Sequence, residues 1–171
     1  MHSEVNSICA FILLQLVLLF LLQSIFSLFV LSLEVPTGYF ADRMGRKKSI
    51  AIGGTVATLG FLTYSLAYGF WGFLLAEILL GIGLSFISGS DSALLYDTLL
   101  EMQKEGEYKK IEGKKLSMGM FSEGIASVLG GFLALSGLRF PLYFDVAITF
   151  MVIPVALTLV EAKRHKPKEK K

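Results

Sequence analysis

Five long apolar segments, separated by short links, dominate the pattern of hydrophobic and polar positions along this chain. Each holds the roughly 20 mostly apolar residues that a helix needs to cross the hydrocarbon core of a bilayer. The predicted spans cover, approximately, residues 8–35, 49–68, 70–99, 116–137 and 140–160. The short alternating strands of a transmembrane barrel do not appear in the pattern. Because a backbone amide in lipid must find its partner within its own segment, we predict an all-α, polytopic transmembrane helix bundle over residues 1–160.

Composition favours a membrane protein over a soluble domain. Hydrophobic residues make up 54% and charged residues 18% of the 171-residue chain, whereas soluble domains have about 45–50% and about 25%. The apolar run from Ile8 to Leu33 exceeds the roughly 7–15 residues of a signal peptide, and no Lys or Arg precedes it, so we predict a retained helix. The single cysteine, Cys9, excludes an internal disulfide. We expect the lipid bilayer as a partner, and no metal, cofactor or nucleic acid.

The links between the segments are of two kinds, which alternate along the chain. "ADRMGRKK", "EMQKEGEYKKIEGKK" and the tail "EAKRHKPKEKK" are highly charged, whereas "AYGFWG" and "SGLRFP" are nearly uncharged. All but one of the 16 basic residues fall in the charged links and the tail, and Arg139 is the exception. The positive-inside rule therefore predicts a plasma-membrane protein with its N-terminus outside. The charged links and a basic tail, residues 161–171, then lie in the cytoplasm.

The first charged link predicts a tight turn between two antiparallel helices. We expect Pro36–Gly38 to end the first helix, and Gly45 to adopt a positive φ so that the chain reverses in few residues. Asp42 can accept hydrogen bonds from the first amides of the next helix, or pair with Arg43 or Arg46. A plain cytoplasmic anchor would explain the basic residues of this link, but not the aspartate held among them.

This link, "GYFADRMGRKKSI", resembles the signature loop between the second and third helices of major facilitator superfamily transporters. The pattern Gly-x-x-x-Asp-Arg-x-Gly-Arg-Lys is matched by Gly38, Asp42, Arg43, Gly45, Arg46 and Lys47. The nearby "EVPTG" and the later "SGSDSALLYD" resemble the drug-resistance-like branch of the family. The resemblance covers residues of about 15–165 and implies that the five spans are the second to sixth helices of a six-helix half. It further implies secondary active transport of a small solute by alternating access, with the loop residues at the gate.

The resemblance leaves part of a complete transporter of this family unaccounted for. Such a transporter has twelve helices in two halves, and this sequence lacks a second half and most of a first helix. We expect a fragment, a split gene or a half that works with a C-terminal half or a second copy. The alternative is a small non-transporting membrane protein: a binding partner, an assembly factor or a decayed transporter remnant. No nucleophile–histidine pair, HExxH motif or phosphate loop is present, so we expect no enzyme. Substrate, direction and coupling ion stay open.

Ionisable residues inside predicted spans are candidates for the transport pathway, because an ionisable side chain in lipid is costly. The candidates for a cavity or for ion coupling are Glu77, Asp91, Glu123 and Asp145. Glu77 stands where the family often carries an arginine, so the proton-coupling role of that arginine cannot be transferred to it. The alternative is a packing stripe of small residues with one buried, protonated acid. Asp145 could line a cavity or pair with Arg139, and we expect Asp97 to be interfacial.

Small residues on the third and fourth spans predict close helix packing. At 100° per residue, small and polar residues share about a third of the circumference of the third span. A similar face occurs on the fourth span. The residues that we expect at packing seams are Gly81, Ser85, Gly130 and Gly131.

Overall fold

Helices account for nearly the whole of the described chain. A computed structural model describes residues 2–159. Within that range the helices are α1 (His2–Met44), α2 (Arg46–Leu66), α3 (Phe70–Glu101), α4 (Tyr108–Ser136) and α5 (Phe140–Thr158), with a short 3₁₀ turn at Glu105–Glu107. Each of the five helices contains a stretch long and apolar enough to cross a membrane. The predicted all-α class of membrane-spanning helices is thereby confirmed, while the predicted basic tail, residues 161–171, lies outside the described residues.

Helix α3 lies between α1 and α2, and α2 also packs against α5. Along α3, Gly81 approaches Phe29 of α1 and Gly89 approaches Gly38, so α1 and α3 run in the same direction. Helix α2 runs the opposite way, because Ser49 bonds to Phe86 and Gly60 approaches Leu80. Within the described chain, α4 contacts α5 and the end of α3 but neither α1 nor α2. Because α1 and α3 run in the same direction, the charged turns that follow them lie together at one end of the bundle.

The buried interior of the bundle is made mainly of small residues. The largest side chains that are fully buried are four serines, Ser49, Ser65, Ser85 and Ser90. Large apolar side chains point outward instead: Phe20 is 71% exposed and Phe121 is 73% exposed. This distribution is expected in a bilayer, where lipid tails are as apolar as leucine and helices associate through the close contact of small residues.

The first helix does not end where the sequence predicted. Pro36 and Gly38 lie inside α1, which continues to Met44, so the predicted end at these residues is wrong. Proline removes one helical hydrogen bond, but neighbouring helices and threonine hydroxyls can compensate for it. Thr37 is buried. Its Oγ1 donates a hydrogen bond to Leu33 O of the same helix at 2.7 Å, and it lies 3.0 Å from the carbonyl oxygen of Ser85 on α3. The Thr37 hydroxyl thus joins α1 to α3 one residue after the proline.

The turn between α1 and α2 consists of a single residue, Gly45. Its φ of 109° confirms the predicted positive value, which a residue with a Cβ adopts only with strain. The backbone N–H of Gly45 still donates to Ala41 O at 2.9 Å, and Gly45 O accepts from Ser49 N–H at 3.0 Å. Because so little chain intervenes, the last turn of α1 and the first turn of α2 present their charged residues side by side.

Candidate functional site

Arg46, the first residue of α2, connects three helices at the charged end of the bundle. Its Nη1 lies 2.7 Å from Asp97 Oδ2 on α3 and also donates to the carbonyl oxygen of Ala93. Its Nη2 lies 3.5 Å from Asp42 Oδ1 at the end of α1. The guanidinium presents several N–H donors in a rigid fork, and this geometry allows one side chain to serve acceptors on different helices. We refer to Asp42, Arg46, Ala93 and Asp97 as the arginine clamp.

Asp97 is the member of the arginine clamp that sequence reasoning missed, because it was expected to be merely interfacial. Its side chain is 18% exposed and that of Arg46 is 17% exposed, so the pair is largely removed from solvent. A signal was present in the sequence. The alternation of charged and uncharged links already placed the end of the third span beside the first charged link. A carboxylate at that position lies close to several cations.

The other residues of the signature loop surround the arginine clamp. The Asp42 side chain is 65% exposed, so its 3.5 Å contact with Arg46 is the weaker arm of the clamp. Arg43 places its guanidinium carbon 4.7 Å from the centre of the Tyr39 ring, a cation–π distance. Lys47 is half-buried in the first turn of α2. The loop therefore brings one arginine inward while its exposed charges remain at the surface of the bundle.

A second polar network connects α3 to α4. Lys115 Nζ lies 3.0 Å from Asp91 Oδ2 on α3 and 2.7 Å from Glu112 Oε1 on its own helix. Ser92 Oγ also lies 3.2 Å from that glutamate oxygen. Asp91, predicted to line a cavity or couple an ion, thus contacts a lysine of the neighbouring helix. Because no residue of α4 is buried within the described chain, this network is a main attachment of its first turns.

Replacing Lys115 with methionine should loosen the beginning of α4 without unfolding the bundle. The lysine and aspartate side chains are 39% and 48% exposed, so the loss should be below about 1 kcal/mol. Backbone hydrogen exchange measured in detergent micelles should become faster in the first three turns of α4. The matched control is Lys114→Met, which removes an exposed cation one position earlier. Equal exchange in the two variants would contradict the role of the network.

Glu77 borders a cavity of about 380 Å³ among α1, α2, α3 and α5. Its Oε1 lies 3.4 Å from Tyr64 Oη, which is placed to donate a hydrogen bond. Gln23 and Thr149 add further polar atoms to a lining that is otherwise apolar. Residues of four helices thus line an open cavity in which a carboxylate and an amide can contact a small molecule.

The predicted packing residues of α3 lie against α1. A Cβ added to Gly81 would come within 2.9 Å of Phe29 Cβ, so the two helices touch closely there. Ser85 is fully buried, and its carbonyl oxygen is the one that faces Thr37. A still closer contact, between Gly53 of α2 and Gly83 of α3, did not stand out in the sequence. A Cβ on Gly53 would lie 2.7 Å from Gly83 O.

Arg139 and Asp145 do not pair with each other, contrary to one of the two roles considered for Asp145. Arg139 Nη1 and Nη2 donate to the carbonyl oxygens of Ser65 at 2.6 Å and Ala67 at 2.9 Å, at the end of α2. Its guanidinium also lies 4.0 Å from the centre of the Tyr68 ring. Helix ends leave carbonyl groups unpaired, and a cation is favourable at the C-terminal end of a helix. Arg139 is therefore held at the uncharged end of the bundle, and Asp145 borders a separate cleft between α4 and α5.

The remaining candidates on α4 have few neighbours. Glu123 is exposed, and its backbone oxygen accepts from the hydroxyl of Ser127 at 2.9 Å. A Cβ added to Gly130 or Gly131 would meet no atom within 4 Å. Packing at these two glycines stays a prediction, since it would require a surface beyond the described residues. The four carboxylates proposed for the pathway thus occupy four different environments and do not form one cluster.

No group of His, Cys, Asp and Glu side chains within residues 2–159 is arranged to hold a metal ion. A comparison with family models matches residues 12–171 to the model described as Major Facilitator Superfamily. A comparison with curated proteins finds no matching sequence. The family match spans all five helices and includes both polar networks.

Proposed function

The chain belongs to the Major Facilitator Superfamily, and from this premise we propose that it moves a small solute across the plasma membrane by alternating access. It is an integral membrane protein and a transporter of the major facilitator kind. Membership of the family favours this function over a non-transporting membrane protein. In our proposal the charged end of the bundle and the C-terminus face the cytoplasm and the N-terminus faces outside, because nearly all basic residues lie on that side.

The observation that carries the proposed mechanism is the arginine clamp. Arg46 joins the start of α2 to Asp97 and Ala93 near the end of α3, and Asp42 approaches the same guanidinium from α1. Alternating access requires contacts that close one side of the membrane and can be broken without unfolding helices. A clamp of polar contacts at the helix ends fits this requirement, since it can open while the small-residue seams of the bundle stay packed.

The cavity at Glu77 supports a binding site for an ion or a polar group among the helices. Glu77 lies seven residues into α3, about 11 Å along the helix from Phe70, and its neighbours include Gln23 of α1 and Thr149 of α5. We propose that this carboxylate binds a coupling cation or a polar group of the solute. The likeness of two segments to the drug-resistance-like branch makes drug-like solutes the first class to test.

We further propose that the chain works together with a second bundle of membrane-spanning helices, either a C-terminal half or a second copy. Helix α4 supports this proposal, because none of its residues is buried within the described chain although it carries Glu123 and five glycines at which an added Cβ would meet no atom within 4 Å. In lipid, small residues and polar side chains on a helix favour contact with another helix over contact with acyl chains. The exposed side of α4 is suited to such a contact.

Replacing Asp42 with asparagine should reduce transport by up to about fivefold while the amount of protein in the membrane stays the same. The variant weakens the exposed arm of the clamp, and an exposed ion pair contributes up to about 1 kcal/mol. The measurement is the uptake of a panel of radiolabelled solutes, drug-like cations first, into proteoliposomes that contain the full chain.

The matched control for this experiment is Glu105→Gln, which removes an exposed carboxylate at the same end of the bundle. Transport by the control should equal that of the unaltered chain. Equal uptake by Asp42→Asn at equal abundance would contradict the gate. Where the neighbouring DNA encodes no second half, a folded, strictly monomeric chain that takes up no solute would contradict the proposed function as a whole.

A further inference from the structure

One side of α4 carries two exposed lysines, Lys110 and Lys114, in the first two turns of the helix. No hydrogen bond or ion pair within residues 2–159 reaches either side chain, in contrast to Lys115, which contacts Asp91 and Glu112. Both lysines lie just before the fourth apolar segment, at the level where lipid headgroups meet the hydrocarbon core. Among the described residues, this pair of cations therefore has no counter-ion at the membrane surface.

A shallow groove of about 450 Å³ lies on α4 beyond the two lysines, toward the middle of the membrane. Its lining residues all belong to α4 and none has a polar side chain: Met120, Phe121, Gly124, Ile125, Val128 and Leu129. From the first to the last of them the helix rises about 14 Å, close to half of the roughly 30 Å hydrocarbon core. A Cβ added to Gly124 would meet no atom within 4 Å, so the groove is open at this position. The groove thus has the depth of one lipid leaflet.

The lysines and the groove lie on the same face of the helix. Angles around the helix are counted from Lys110 at about 100° per residue. Lys114 then lies at about 40°, Phe121 at about 20° and Val128 at about 0°. Ser117, a small and exposed residue at about −20°, lies between the lysines and the groove and leaves the passage between them free. One continuous surface therefore combines a pair of cations with an apolar groove.

The carboxylates near this surface point elsewhere or lie farther from the hydrocarbon core. Glu112 and Glu123 are on the far side of α4, at about 160° and about 140° from Lys110. Glu105 and Glu107 belong to the 3₁₀ turn that precedes α4, on the side away from the membrane. The side of the helix that carries Glu123 stays available to the second bundle. The face of Lys110 is therefore positively charged at its membrane boundary.

We propose that this face of α4 binds an anionic phospholipid, with the phosphate between Lys110 and Lys114 and one acyl chain in the groove. A zwitterionic headgroup brings a cation of its own, which two unpaired lysines repel, whereas an anionic headgroup supplies the missing counter-charge. Lysine suits this role, because its ammonium is a point charge on a long stem that reaches the headgroups from the edge of the core. A soluble anion would use the lysines without the groove. The site rests on the membrane-spanning fold and not on the proposed transport.

The test is native mass spectrometry of the purified full chain in detergent, titrated with dioleoylphosphatidylglycerol. Lys110→Gln and Lys114→Gln should each weaken binding about fivefold, the factor expected for one lysine at an anionic surface. Dioleoylphosphatidylcholine should bind at least roughly tenfold more weakly than the anionic lipid, since both lysines discriminate against it. The matched control is Lys109→Gln, because Lys109 is exposed on the same turn but about 100° away from Lys110. This control should leave affinity unchanged.

Filling the groove gives a second measurement that retains both lysines. Gly124→Leu should weaken binding of phosphatidylglycerol roughly threefold or more, because the acyl chain then loses about five atom contacts. The matched control is Ser122→Leu, which adds the same side chain at an exposed position that does not line the groove. Affinity should be unchanged in this control. All of these positions are exposed on α4, so the substitutions leave the packing of the bundle intact.

Equal losses for Lys109→Gln, Lys110→Gln and Lys114→Gln would indicate a diffuse basic surface and overturn the proposal. Equal affinities of Gly124→Leu and Ser122→Leu would do the same, as would equal binding of the two lipids. Displacement of the lipid by millimolar inorganic phosphate would indicate a site for a free anion instead. A dimer without bound phosphatidylglycerol, visible in the same spectra, would assign this face to a second copy. Because binding is measured without transport, its outcome is independent of the gate and of solute uptake.

Discussion

Replacing Arg46 with methionine should lower the free energy of unfolding of this protein by roughly 3 kcal/mol, the lower end of the range for breaking a buried ion pair. The guanidinium is 17% exposed and Asp97 is 18% exposed, so the variant leaves a largely desolvated carboxylate without its cation. It also removes the donor to the Ala93 carbonyl oxygen. Methionine preserves much of the apolar stem of arginine, which confines the loss to the charged head.

The measurement is unfolding of the purified chain in detergent micelles, followed by circular dichroism. Lys48→Met is the matched control, because Lys48 is an exposed cation two positions later in the same helical turn, and it should change stability by less than about 0.5 kcal/mol. The double variant Arg46→Met with Asp97→Asn should lose less unfolding free energy than the two single variants lose in sum, since neither charge is then left without its partner. Strict additivity would contradict a direct pairing of the two residues.

Replacing Gly83 with alanine should destabilise the bundle by up to about 2 kcal/mol, although alanine is the better helix former. The added Cβ would lie 2.7 Å from Ala57 N and 2.9 Å from Gly53 O, both backbone atoms of α2. Backbone cannot move aside as the end of a flexible side chain can, so α2 must shift away from α3. Overpacking of this kind costs roughly 1–3 kcal/mol, and the gain of about 1 kcal/mol in helix propensity does not offset it.

The same substitution on α4 supplies the control, because Gly119→Ala adds a Cβ with no atom within 4 Å. There the propensity gain acts alone, and stability should stay level or rise by up to about 1 kcal/mol. Gly53→Ala should reproduce the loss seen for Gly83→Ala, since the two glycines form one contact from opposite sides. Similar stabilities for Gly83→Ala and Gly119→Ala, measured by the same unfolding experiment, would show that α2 and α3 do not approach so closely.

Much of the architecture of this protein could be predicted from local features of its sequence. Long apolar runs predicted the membrane-spanning helices, because lipid leaves a backbone amide no partner except its own helix. The alternation of charged and uncharged links predicted which turns share one end of the bundle, and the contact of Arg46 with Asp97 agrees with that grouping. A positive φ at Gly45 was predicted for the same local reason, since a reversal within one residue requires it.

Only the tertiary structure decided which side chains are partners. Pro36 was expected to end a helix, but α1 continues to Met44, and Thr37 contacts α3 one residue after the proline. Asp145 was considered a partner of Arg139, but the guanidinium meets the free carbonyl groups of α2 instead.

The physical reason for this division is the range of the interactions concerned. Hydropathy and helical hydrogen bonds act within a few residues of the chain, so a sequence displays them directly. The pairing of Arg46 with Asp97 joins positions that are far apart in the sequence, as does the contact of Gly53 with Gly83. Such contacts depend on the rotation and depth of each helix against its neighbours, and in this protein close packing of small residues sets both.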